Sequence, residues 1–280
     1  MEWKKCLVYL EWNDVINIKK YNISIKGHSR GSEKTGFYIP QLKLFFDSGI
    51  QSYFEPEYIF ITHCHTDHSF ALPMLLTGIK TNPTVYVPLE SEILFKNFVN
   101  TTYQLSEHKS DVVSEYPIIG VKENEIIKLK NNYFMKVYKL EHRVPCCGYG
   151  LSVIKQKLRS EYINLPKEEI IKLKKSNVEI SEPKEEKILV YLTDTNPVFC
   201  KYPEILEYPY IITECSFIKE EEIDVAKKAG HTHWSELKPI ILSHPEIQFI
   251  IIHLSMRYSV TEINEFFEKE KLSNIIIVNK

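Results

Sequence analysis

No apolar run in this sequence is long enough to cross a bilayer. Stretches such as Phe249 to Ile252 span a few residues, far short of the roughly 20 that a membrane helix needs. No apolar segment of signal-peptide length follows the start, Met1-Glu2-Trp3-Lys4-Lys5, which argues against export and for a cytoplasmic setting, with nucleus or organelle left open. A dominant charge is missing too. The formal net charge of -2 leaves no generally basic surface, so any nucleic-acid contact must come from a local patch. Six cysteines (Cys6, Cys64, Cys146, Cys147, Cys200 and Cys215) form neither a compact framework nor a Cys-x-x-Cys zinc knuckle, and without an export signal they read as reduced packing residues. Glycine is scarce, 9 in 280 residues, in a chain that is 44% hydrophobic. Such a chain can bury a sizeable core, in one large domain or two small ones. Internal repeats and low-complexity tails are also lacking.

What is present is concentrated in "YIFITHCHTDHS", Tyr58 to Ser69. Tyr58-Ile59-Phe60-Ile61 reads as a short buried strand. If the extended chain continues past Thr62, His63 and His65 point the same way, because side chains alternate with period two. Asp67 and His68 then fall on the following turn, ahead of a helix predicted over Phe70 to Leu76. Two imidazoles aimed together, with a carboxylate and a third imidazole one step on, suit Zn²⁺ or a similar borderline ion. Cys64 points away from that set.

Further strands are predicted over Leu42–Phe46, Thr84–Val87, Phe134–Leu140, Tyr149–Ile154, Ile188–Leu192, Tyr210–Thr213, Phe249–Ile252 and Asn274–Val278. Helices are predicted over Ser91–Val99, Trp234–Leu242 and Thr261–Glu270. Many strands with interspersed helices argue for an α/β sandwich. Residues 155 to 175 hold seven basic and three acidic residues and read as an excursion from the sheet, either a solvated helix or a tether for a polyanion. Seven of the ten histidines lie in four places: His63, His65 and His68; His142; His231 and His233; and His253. His142 and His253 follow strands, and Asp194 closes the apolar run "ILVYLTD". Liganding residues at the exits of several strands converge on one edge of a sandwich. His233 reads equally as a cap of the helix starting at Trp234.

The order His-x-His-x-Asp-His, then His142, Asp194 and His253, resembles the metallo-β-lactamase fold superfamily, a four-layer αββα sandwich. The finer resemblance is to tRNase Z, short form. It is carried by "HRVPCCGYGL", "TECSF", "AGHTHWSEL", "IHLSMRYSVTEI", the N-terminal "GHSRGSEKTGFYIPQLKLFFDSGI" and "KLRSEYINLPKEEIIKLKKSNVEI". It spans roughly residues 22 to 265 of what is read as one metallo-hydrolase domain, 1–280, with an inserted arm at 155–187. The resemblance implies two Zn²⁺ ions, with Mn²⁺ or another divalent ion as the alternative. His63, His65 and His142 would hold the first ion and Asp67, His68 and His253 the second, with Asp194 bridging. It further implies that the ions acidify a water and clamp a phosphate for in-line displacement. Asp67 would take the water's proton, and His231, oriented by Glu214, would protonate the leaving 3′ oxygen. The substrate would be the 3′ trailer of precursor tRNA, touched by Lys172, Lys174, Lys175 and Arg257, and the enzyme would be a homodimer.

Two departures stand out. Thr193 replaces a glycine before Asp194, and Ser69, Phe70 and Ala71 stand where the family usually has two glycines, adding bulk at the mouth. That bulk favours a rival on the same fold, a hydrolase of a β-lactam, lactone or thioester; a broader nuclease is another alternative. A non-catalytic partner protein would show eroded ligands, and all seven are intact.

Overall fold

Short runs of isoleucine, valine, tyrosine and phenylalanine become strands, and their order builds two sheets. The computed structural model describes residues 12–77, 79–199 and 201–278; Cys6, Cys200 and the Met1–Lys5 start lie outside them. The first sheet contains β1 (Asn13–Ile18), β2 (Ile23–Arg30), β3 (Lys34–Ile39), β4 (Leu44–Phe46), β5 (Tyr58–Phe60), β6 (Thr84–Pro88) and β7 (Ile118–Val121), in that order. The second contains β8 (Ile126–Lys128), β9 (Tyr133–Leu140), β10 (Cys146–Leu158), β11 (Ser181–Leu192), β12 (Tyr210–Glu214), β13 (Gln248–Ile252) and β14 (Ile275–Ile277), ordered β14 to β8. Each sheet is antiparallel in one half and parallel in the other: β4 to β7 run parallel, as do β11 to β14.

Three apolar clusters mark the three contacts of a four-layer sandwich. The central one joins Ile25, Phe37, Phe46 and Phe60 of the first sheet to Val137, Tyr149, Leu151, Tyr191 and Ile250 of the second. Outside the first sheet, Ile59 and Val85 meet Leu72, Leu75 and Leu76 of α2 (Leu72–Thr77) and Phe95 and Val99 of α3 (Glu92–Glu107). A single turn, α1 (Thr66–Ser69), precedes α2. Outside the second sheet, Phe249 and Ile251 meet Trp234, Leu237 and Ile241 of α6 (Trp234–Ser243) and Ile263 and Phe267 of α7 (Val260–Glu270). Between lie α4 (Lys167–Lys175) and α5 (Ile223–Ala229). Among the described residues no helix is long and apolar enough to cross a membrane.

The expected sandwich is present, with differences from the sequence reading. Strands β1, β2, β3, β7 and β8 have no counterpart among the predicted ones: Lys, Ser and Gly interrupt the alternation of β2 and β3, and β7 and β8 are only four and three residues long. The helix expected over Phe70–Leu76 is α2, and the turn expected at Asp67 and His68 is the single helical turn α1. The excursion also starts later than expected: β10 and β11 continue as an antiparallel ribbon to the pair Leu158–Ser181. Both faces of that ribbon meet solvent near its tip, so no hydrophobic alternation betrays it.

Tyr149 connects the sheets directly. Its buried hydroxyl on β10 donates to the Ile61 carbonyl just beyond β5, at 2.7 Å, while its ring meets Phe60 at 5.0 Å between centroids. Tyr149→Phe keeps the ring and strands that carbonyl, which costs about 1–3 kcal/mol. In a urea titration the midpoint is expected to fall while the m-value stays the same; an unchanged midpoint would contradict the bridge.

Candidate metal centre

The residues singled out by the sequence come together at one edge of the sandwich. Asp47 follows β4, His63 and His65 follow β5, His142 follows β9, Asp194 follows β11, Glu214 ends β12 and His253 follows β13. All these strands point the same way, so their C-terminal ends share one rim, where crevices form in α/β sheets. Asp67 and His68 ride on α1 above it.

Two groups of donor atoms meet there. In the first, His63 Nε2 lies 3.1 Å from His65 Nδ1, and His142 Nε2 lies 3.2 Å from that same Nδ1. Asp194 Oδ2 stands 3.6 Å from His63 Nε2 and 3.9 Å from His142 Nε2. In the second, His68 Nε2 and His253 Nε2 are 3.2 Å apart, with Asp67 Oδ2 3.6 and 3.3 Å from them. Asp194 Oδ1 completes that group at 3.3 and 3.2 Å. Asp194 therefore divides its two oxygens between the groups. Donors bound tetrahedrally at 2.0–2.1 Å from a zinc ion lie about 3.3 Å from one another, so both groups fit such an ion. Three imidazole nitrogens facing each other at this range have no shared proton arrangement that satisfies all of them, whereas a cation does. The cluster can bind metal ions.

The second nitrogen of each ring sets its tautomer. Asp47, fully buried, accepts from His68 Nδ1 at 2.8 Å, from the Thr62 amide and hydroxyl, both at 2.8 Å, and from the Tyr191 hydroxyl at 2.7 Å. The Thr62 hydroxyl in turn receives His63 Nδ1–H at 3.0 Å. His142 Nδ1 donates to the Gly230 carbonyl at 2.8 Å. His253 Nδ1 meets the Ser216 hydroxyl at 2.9 Å, and that hydroxyl donates to Glu214 at 2.7 Å. Asp47 (φ 57) and His253 (φ 62) both take the left-handed conformation, a strained state that aims them inward. Gly49 leaves room for α1: a Cβ there would lie 1.8 Å from the Asp67 carbonyl.

Metal binding needs neutral imidazoles and ionised carboxylates, and the first donor group matches this. In the second group burial is outweighed at His68 by the Asp194 and Asp47 charges, which raise it well above the ordinary imidazole range. Burial holds His63, His65 and His142 below the ordinary imidazole range. For Asp67, burial works upward, yet the His253 hydrogen bond and neighbouring imidazole charges bring it down to about 2. His231 goes the other way. Burial would lower it, but the Glu214 charge and hydrogen bond raise it to about 9, so the ring is protonated at neutral pH. Its Nδ1–H donates to Glu214 Oε1 at 2.9 Å, and its ring stacks on His253 at 5.4 Å. Glu214 is fully buried and also accepts from the Thr195, Thr232 and Ser216 amides.

Other expected residues stand apart. His233 caps α6 in a capping box with Glu236. Arg257 is paired with Glu222 at 3.3 Å and lies over the Phe217 ring. Lys172, Lys174 and Lys175 occupy the last turn of α4, which has no buried residue. Their ribbon extends from the rim for the length of β10, roughly 40 Å at 3.3 Å per residue. Phe70 is 64% exposed and lines a hollow with Cys64, Leu94, Phe95 and Phe98. None of the seven donor residues lines that hollow. Cys64 points away from the cluster, as anticipated. Sequence reasoning missed Asp47, Thr62 and Ser216. Asp47 carried a signal, since "LFFD" is an apolar strand closing on aspartate, the same pattern that flagged Asp194.

Two facing mixed sheets with this rim make the chain a protein of the metallo-β-lactamase fold. A metallo-β-lactamase fold protein from Bacillus subtilis matches it with a TM-score of 0.55 at 14% identity, over 90% of this chain and 94% of that one. The short form of human tRNase Z matches with a TM-score of 0.52 at 16% identity, over 82% and 92%. In sequence the chain is similar to the chloroplastic tRNase Z of Arabidopsis thaliana, with 28% identity over 252 residues, 86% of this chain and 70% of that protein. The likeness to tRNase Z read from the motifs therefore runs along most of the chain. No family model matches it.

Asp47→Asn puts an amide where donors from Thr62, His68 and Tyr191 now converge on a carboxylate. Zinc affinity is expected to fall about 10- to 100-fold, as read by competition with a chromophoric chelator. Unchanged affinity would show that Asp47 does not orient the rings.

Proposed function

We propose that this protein is a zinc-dependent endoribonuclease that removes the 3′ trailer of precursor tRNA. The observation that supports this most is the pairing of two donor groups that share Asp194 with a protonated histidine stacked at their edge. His63, His65, His142 and Asp194 would hold one ion and Asp67, His68, His253 and Asp194 the second, with zinc or manganese as the occupant. Bound there, two such ions supply an acidified water and a Lewis-acid clamp for a phosphodiester. The protein's own groups complete the reaction. Asp67 receives the water's proton. His231, held by Glu214 and protonated at neutral pH, delivers a proton to the departing 3′ oxygen, which would otherwise leave as an alkoxide. The Glu214–His231 pair lies in the segments that resemble tRNase Z, and the lysine-bearing arm offers cations to a polyanion, which is why the nuclease is preferred to a lactonase or β-lactamase.

The chain acts as one metallo-hydrolase domain, and residues 155–187 form its RNA-contacting arm. Because α4 lies at the far end of a long ribbon, its lysines are too distant to assist chemistry at the same rim. They would hold the body of a folded RNA, or serve the rim of a second subunit in a homodimer.

Two experiments test these assignments. Zinc- or manganese-loaded protein is incubated with a 3′-extended precursor tRNA and with an unstructured RNA. A single cut near the end of the acceptor stem is expected, reduced on the order of 10²-fold or more by His231→Ala. Equal degradation of both RNAs, or of neither, would sink the tRNA assignment. For the arm, replacing Lys172, Lys174 and Lys175 with alanine is expected to weaken RNA binding. The slope of log K against log salt should become shallower by about 0.9 for each phosphate left without its lysine; an unaltered slope would remove those lysines from the interface.

A further inference from the structure

The chain has four arginines, Arg30, Arg143, Arg159 and Arg257, and three are committed elsewhere. Arg30 is buried and donates to the Ser255 and Tyr258 carbonyls at 3.2 and 2.7 Å. Arg159 pairs with Glu179 and Arg257 with Glu222, each at 3.3 Å. Arg143 is exposed, and among the described residues its guanidinium has no hydrogen-bond or ion-pair partner.

Its place at the rim is well defined. Arg143 directly follows His142, whose Nδ1 donates to the Gly230 carbonyl. A Cβ on Gly230 would lie 3.5 Å from the Arg143 amide, and His231 is the next residue along. Arg143 thus leaves the rim between a donor of the first metal group and the proton donor. Its charge is felt on both sides, disfavouring the protonated forms of His65 and His231. A cation beside groups that it destabilises, with no anion of the protein to neutralise it, is an unbalanced arrangement. A bound anion at the rim would balance it, and guanidinium is the side chain best matched to two phosphoryl oxygens.

We propose that Arg143 receives the non-bridging oxygens of the phosphodiester at the metal centre and thereby selects phosphodiesters over uncharged esters. This assignment rests on the phosphodiesterase reading above. The fork would hold the group in line between the attacking water and His231. It would also oppose the charge that grows on phosphorus-bound oxygen during displacement. A carbonyl ester brings no charge in its ground state and develops a single oxyanion only in the transition state, so it gains less from Arg143 than a phosphodiester does.

The test compares zinc-loaded wild type, Arg143→Gln and Arg143→Lys on three probes: bis(p-nitrophenyl) phosphate, p-nitrophenyl acetate and, by calorimetry, inorganic phosphate. The glutamine variant is expected to lose roughly 10- to 100-fold in kcat/KM on the phosphodiester, the scale of one charge-assisted hydrogen bond. Phosphate binding should weaken to match, and hydrolysis of the neutral ester should stay within about twofold. Lysine, which keeps the charge and loses the fork, should recover part of the difference. Phosphodiester turnover and phosphate binding that survive Arg143→Gln would overturn the assignment. So would an equal loss on both substrates, which would make Arg143 part of the scaffold. If wild type binds phosphate through Arg143 yet cleaves neither bis(p-nitrophenyl) phosphate nor RNA, the phosphodiesterase reading falls and the anion site stands.

Discussion

The carboxylate of Asp47 is the point on which the rest of this structure depends. It lies between the two sheets with no exposure, and every donor it accepts belongs to a different task. The Thr62 amide fixes the chain as it leaves β5, and the Tyr191 hydroxyl reaches across from β11. His68 Nδ1 ties in α1. A buried charge is tolerable only when its acceptor capacity is filled, and here the same bonds that satisfy it also align two rings of the metal centre. Fold stability and ring orientation are thus coupled through one group.

Glu214 repeats the logic on the second sheet. Its five donors include three backbone amides, from Thr195, Thr232 and Ser216, which draw the loops after β11 and β12 and the turn before α6 onto one anchor. Through that anchor it holds His231 directly and His253 by way of Ser216. Two buried carboxylates, one per sheet, therefore orient four of the rim's imidazoles: His63 and His68 from Asp47, His231 and His253 from Glu214. Asp194 plays the complementary part. It is the carboxylate shared between both donor groups, and it stands where the sheets' rims meet.

Much of this rim was legible in the chain. His63, His65, Asp67 and His68 announce themselves by density, and Asp194 and His253 by ending apolar strands. That signal works because a strand leaving the core has no packing reason to close on an imidazole or carboxylate. The same signal was present at Asp47, which closes the predicted strand Leu42–Phe46 and was overlooked; it is absent at Thr62 and Ser216, whose hydroxyls are ordinary anywhere in a sequence. The sandwich was legible from its buried parallel strands, which read as continuous apolar runs. The first antiparallel strands were not, because Lys, Ser and Gly interrupt β2 and β3 although both are mostly buried; nor was the outer half of the β10–β11 ribbon, since solvated strands carry a weak pattern or none. Arg143 was invisible as well. A lone arginine after a histidine has no periodicity, and its unpaired state is a property of everything around it.

By itself, the sequence determined which residues could serve as metal donors and roughly where the strands lie, because residue type and short-range spacing carry that information. The tertiary structure alone decided which ring nitrogen of each histidine faces the cluster and how Asp194 divides its oxygens. It also decided that Glu214 accepts from His231, and which arginine is left without a partner among the described residues. Each of these depends on contacts between residues tens to hundreds of positions apart. Hydrogen-bond geometry and burial come into being only once two sheets have closed on one another.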